Sequence, residues 1–132
     1  MNRIFKYYGL TILWALFVLL MCSIKMGRIS ESSIFFPGFD KLVHCGFFFV
    51  FVVFLSNAII KQHNYPFLPF KYALLIVVAS ILFGGGIEIL QAYVFTWRDG
   101  SWDDLFADTT GILMGMYSVL VTAAAINNHV KK

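Results

Sequence analysis

The chain has 132 residues, of which 60% are hydrophobic and only 13% charged. Soluble domains run at about 45–50% apolar and about 25% charged, so a soluble enzyme, a disordered chain and a coiled coil are excluded. The net charge of +3 would raise nucleic acid as a partner for a soluble protein. Here the basic residues lie in gaps between apolar runs and read as topology signals, so no nucleic acid is expected.

A membrane span needs about 20 apolar residues at ~1.5 Å of rise each. The first such run is 7–24. Arg3 and Lys6 precede it as in a signal peptide, but Met21-Cys22-Ser23 offers no small-residue cleavage site, so the run is read as an anchor. The second run, 42–60, has His44 and Cys45 as its only ionisable side chains. The third, 72–97, carries Glu88 and Gln91, and the fourth, 105–126, carries Asp108. The runs are continuous rather than alternating, and four short strands cannot close a barrel. The expectation is all-α: one domain over 1–132, a four-transmembrane-helix bundle. Gly27, Pro37 and Gly38 mark the first connection, Pro66 and Pro69 the second, Asp99 and Gly100 the third. Cys22 and Cys45 read as free thiols in apolar surroundings; spacing alone cannot pair them.

The N-terminus, the second connection and the C-terminus carry Arg3, Lys6, Lys61, Lys71, Lys131 and Lys132. The other side carries Lys25, Arg28, Lys41 and Arg98. Six against four puts both termini in the cytoplasm.

On that topology the polar groups collect at the outer level. Asp40, Lys41 and His44 open the second helix, Glu88 and Gln91 lie in the outer half of the third, and Arg98, Ser101 and Asp104 make the outer turn. Asp108 follows one turn into the fourth helix, on a stripe with Asp104, Gly111 and Gly115. With Trp97 at the interface, Glu88 lies roughly 13 Å along the helix, near the midplane. The expected picture is an outward-open pit with acids at the mouth and Glu88 at the floor. A carboxylate there costs at least about 2.5–3.5 kcal/mol, so it must be protonated, paired or facing water.

Glu88, His44, Asp104 and Asp108 are the acid–base candidates. Asp40, Lys41, Gln91, Arg98 and Ser101 are the ligand-contact candidates, with Lys41 and Arg98 suited to phosphate. Plainer readings stand beside these. Asp40 is also a natural N-cap, and Lys41 a snorkelling lysine. His44 fits a packed histidine, and Ser101, Asp99 and Asp103 fit turn or cap residues. Gly111 and Gly115 fit close helix packing, within the chain or between copies. Glu88 also fits a hydrogen-bonded brace. Gly84, Gly85 and Gly86 cost about 1 kcal/mol each against Ala, and allow a kink or a very close neighbour. His44, Glu88, Asp104 and Asp108 meet around a metal in one conceivable folding. There is no dense metal-ligand spacing, nucleophile motif or phosphate loop, so no metal or cofactor is expected.

Three pieces of sequence resemble the VanZ-like family of small bacterial membrane proteins. They are Asp40-Lys41-Leu42-Val43-His44 with Phe47-Phe48-Phe49; Gly86-Ile87-Glu88-Ile89-Leu90-Gln91; and Arg98 with Ser101-Trp102-Asp103-Asp104-Leu105, Thr109-Thr110-Gly111 and Gly115. Asp108 stands where that family usually has Asn. The resemblance implies a place in the bacterial cytoplasmic membrane and a role at the cell envelope, the namesake being linked to teicoplanin resistance. Combined with the pit, it leads to one reading in which the chain binds or modifies a lipid-linked phosphate substrate or cell-wall precursor, with membrane lipids as its surroundings. The other reading is a non-catalytic scaffold whose polar cluster is structural. The residues leave open whether the chain is an enzyme.

Overall fold

With no water in the hydrocarbon core, a spanning segment must hydrogen-bond its own backbone. The computed structural model describes residues 3–24, 36–95 and 100–130, the last three without their side chains. Its elements are α1 (Arg3–Ser23), α2 (Phe39–His63), α3 (Phe70–Tyr93) and α4 (Trp102–Val130). All four are long and apolar enough to cross a membrane. The shortest, α1, has 21 residues, about 31 Å at 1.5 Å per residue. The expected all-α four-helix membrane bundle is therefore the fold.

The helix ends differ from the apolar runs, because polar residues extend a helix into the interface where hydropathy stops counting them. Gly38, at φ 88°, precedes α2 without a side-chain cap. Asp40 is thus not the N-cap but a first-turn residue, where its charge favours the helix dipole. At the other end Asn64, at φ 54°, returns its N–H to the Ile60 carbonyl. α3 stops at Tyr93, not at 97. Beyond it, the Val94 and Phe95 N–H groups both donate to the Leu90 carbonyl, at 2.9 and 3.0 Å. Glu88 therefore lies five residues from the end of α3, about 7.5 Å along it. That distance is counted from the helix end and not from Trp97, which lies outside the described residues. Ser101 caps α4, its Oγ accepting from the Asp103 N–H at 3.2 Å.

The most extensive packing is between α2 and α4. A Cβ at Gly111 would collide with the Cys45 carbonyl, and one at Gly115 would sit 2.8 Å from the Phe49 oxygen. The glycine seam joins two helices of the same chain, so it is not an outward face for a second copy. Phe48 and Val52 of α2, Ile76 and Ile87 of α3, and Ile112 and Met116 of α4 fill the core. α1 is peripheral and buries only Thr11, Val18 and Cys22. Trp14 fastens it, donating its Nε1–H to the Phe47 carbonyl at 2.9 Å and meeting the Phe47 and Phe54 rings edge-on. Leu13, Leu16 and Leu20 of α1 stay exposed, as suits a lipid-facing surface. Cys22 and Cys45 form no disulfide.

The seam sets a prediction. Gly111→Leu should lower the melting temperature in mild detergent, at a cost of at least about 1–3 kcal/mol for overpacking. A Cβ at Gly46 would meet nothing within 4 Å, so Gly46→Ala should be accepted with no loss and a gain of up to about 1 kcal/mol. Equal melting of the two variants would place the tight contact elsewhere.

Candidate functional site

Close approach of α2 and α4 brings His44 onto Asp108. The His44 Nδ1–H donates to Asp108 Oδ1 at 2.9 Å, and both side chains are buried, at 3% and 0% exposure. α3 makes room for the carboxylate. A Cβ at Gly84 would lie 2.9 Å from Asp108 Oδ2 and 3.3 Å from the Phe48 ring, whereas Gly85 and Gly86 face open space. Of the three glycines, Gly84 is the one that the site requires.

Glu88 joins from α3. Its Oε2 accepts the Ser101 N–H at 2.7 Å, so a carboxylate holds the start of α4 against α3. The chain folds back tightly here, since a Cβ at Gly100 would meet the Glu88 carbonyl oxygen at 2.6 Å. One ring nitrogen of His44 and one carboxylate oxygen each from Glu88 and Asp108 lie within 4.8 Å of one another. Glu88 Oε1 and Asp108 Oδ2 are buried with no hydrogen-bond partner among the described residues.

The mouth is a second cluster. Lys41 Nζ lies 3.7 Å from Asp104 Oδ1, 3.9 Å from Asp40 Oδ2 and 4.0 Å from Asp103 Oδ2. Asp104 is buried, while Asp40 and Asp103 are exposed. Beside this cluster, Lys41, Cys45, Asp103, Phe106, Ala107 and Thr110 line a depression between α2 and α4. The Thr110 hydroxyl donates back to the Phe106 carbonyl at 2.8 Å. The Lys41 ammonium, expected to hold phosphate, already faces three carboxylates. Its expected companion Arg98 lies outside the described residues.

Of the sequence-derived candidates, His44, Glu88 and Asp108 come together as a buried cluster at the place expected for the floor, and Asp40, Lys41 and Asp104 as a second cluster at that expected for the mouth; none of the first three lines the depression beside Lys41. Ser101 serves through its backbone N–H. Gln91 does something else: it is fully buried and donates from Nε2 to the Cys22 carbonyl at 3.0 Å, tying α3 to the end of α1. Its Oε1 has no hydrogen-bond partner among the described residues. Asp103 at the mouth reads in the sequence as a turn or cap residue, although it adjoins Asp104 in the first turn of α4. The buried Thr11, Ser56 and Ser80 escape a sequence reading, because short hydroxyls leave little mark on an apolar run.

Asp104 and Asp108 should respond differently to neutral replacement. Asparagine at 108 keeps the oxygen that His44 donates to and removes a buried charge. Asparagine at 104 loses charge pairing with Lys41 in a buried position. Asp104→Asn should therefore lower the melting temperature in one detergent more than Asp108→Asn does; the opposite order would show that Asp108 works through its charge or its proton. No family model, no curated protein and no solved structure matches this chain, so the geometry of floor and mouth carries the functional reading.

Proposed function

We propose that this is a multi-pass protein of the bacterial cytoplasmic membrane, with both termini in the cytoplasm, whose outward pit binds the headgroup of a lipid-linked envelope precursor. The observation that carries the reading is the charge balance at the mouth, where, among the described residues, Asp40, Asp103 and Asp104 surround one ammonium, that of Lys41. Among the described residues the mouth offers more acceptors than it satisfies. A headgroup rich in amines, amide N–H groups and sugar hydroxyls supplies the missing donors, and a cell-wall precursor has all three. Bare phosphate is the poorer match, because the carboxylates repel it. The reading assigns recognition and no reaction. The resemblance to VanZ-like proteins supports an envelope role and names growth on teicoplanin as a phenotype worth scoring.

The scaffold reading has its own support. His44–Asp108, Glu88–Ser101 and Gln91–Cys22 each tie two elements together. The residues separate the two readings, since Asp40 and Asp103 belong to the mouth and to none of those ties.

Two outcomes are expected. In native mass spectrometry from mild detergent, the wild type incubated with a lipid-linked peptidoglycan precursor should carry it as an adduct. The Asp40→Asn, Asp103→Asn double variant should lose the adduct and melt only slightly below the wild type, through the loss of two first-turn charges of about 0.3–1 kcal/mol each. A wild type that takes up no precursor supports the scaffold. A reporter active only outside the cytoplasm should be silent when fused after Lys132 and active when inserted within 25–35; the reverse pattern turns the pit inward.

A further inference from the structure

We propose that His44, Glu88 and Asp108 bind one divalent transition-metal ion at the floor of the pit, with Zn2+ the best fit. The inference goes beyond the headgroup reading and does not rest on it, since the mouth residues take no part.

Three helices each supply one donor, and the donor atoms lie within 4.8 Å of one another. Zinc sites place nitrogen and oxygen ligands about 2.0–2.2 Å from the ion, which sets tetrahedral ligand pairs roughly 3.4 Å apart. Binding requires the set to contract to that spacing, with the Glu88 side chain, the longest of the three, turning while its Oε2 keeps or exchanges the Ser101 N–H. The hydrogen bond between His44 Nδ1 and Asp108 Oδ1 already aligns those two side chains; on binding, the ion takes the place of the Nδ1 proton, which leaves to solvent. One imidazole with two carboxylates suits zinc and its first-row neighbours. Calcium takes six to eight oxygens, more than these three side chains offer.

The second observation is independent of the clustering. Glu88 is 8% exposed and Asp108 0%, and each keeps one buried oxygen with no hydrogen-bond partner among the described residues. Buried acceptors in a native protein are normally satisfied, and a buried charge needs a partner. A single cation held by one oxygen of each carboxylate supplies the charge partner that both side chains need. Three protein ligands leave a fourth position for water or a ligand atom, the arrangement of zinc sites that stay open.

The test uses the full chain in detergent, freed of any polyhistidine tag, stripped with chelator and then titrated with ZnCl2. The wild type should retain one zinc per chain after desalting and should melt higher with zinc than without it. Glu88→Gln and Asp108→Asn should each bind at least about tenfold more weakly and show no zinc-dependent shift. Asp103→Asn, outside the cluster, should match the wild type in both measurements. Metal-free melting of Asp108→Asn close to the wild type shows that lost binding is not lost folding; Glu88→Gln provides the same comparison from another helix. A wild type that retains no zinc overturns the proposal, as do floor variants that bind as tightly as the wild type. Loss of zinc binding with the precursor adduct intact leaves the headgroup reading standing, and loss of the adduct alone leaves the metal site standing.

Discussion

The distance between the α2 and α4 backbones governs this molecule. At Gly111 the Cys45 carbonyl occupies the space where a side chain would begin, and at Gly115 the Phe49 backbone does nearly the same. In lipid no hydrophobic force pushes helices together, so small residues and close van der Waals contact must do it. The contact sits on the same stripe of α4 as Asp108 and Asp104. It therefore sets the separation of His44 from Asp108, and of Lys41 from Asp104. Widening the seam by one side chain would move floor and mouth apart together.

A second constraint comes from α3. It contributes one carboxylate and one glycine, four residues apart, and they do opposite things. Glu88 reaches across to Ser101 and draws the start of α4 inward. Gly84 withholds a side chain and lets Asp108 approach. The polar floor thus rests on a filled position and an empty one on neighbouring turns of one helix.

The fold is legible in the sequence because each apolar run is long, continuous and nearly free of charge. Helix ends are less legible: hydropathy cannot see Asp40 continuing α2 outward, nor the turn at Leu90 that ends α3 before Trp97. Convergence of His44, Glu88 and Asp108 is readable from topology and helical spacing. Their division from the Lys41 cluster is not, because it depends on which way neighbouring helices rotate. Gln91 illustrates the limit: its spacing from Glu88 points to the pit, but its partner is a backbone carbonyl of α1, 69 residues away in sequence, which no side-chain pattern announces.

That same long-range bond bears on the order of assembly. α1 leaves the ribosome before α2, α3 and α4, and most of its surface is suited to lipid without neighbours. It can therefore rest in the bilayer as a lone span, its few buried positions small or aliphatic. Trp14 gains its partner carbonyl when α2 arrives. The Cys22 carbonyl gains Gln91 only once α3 has inserted nearly to its end. α1 is thus locked at its far end by a residue synthesised two helices later, so it takes its final position only after most of the bundle has been made.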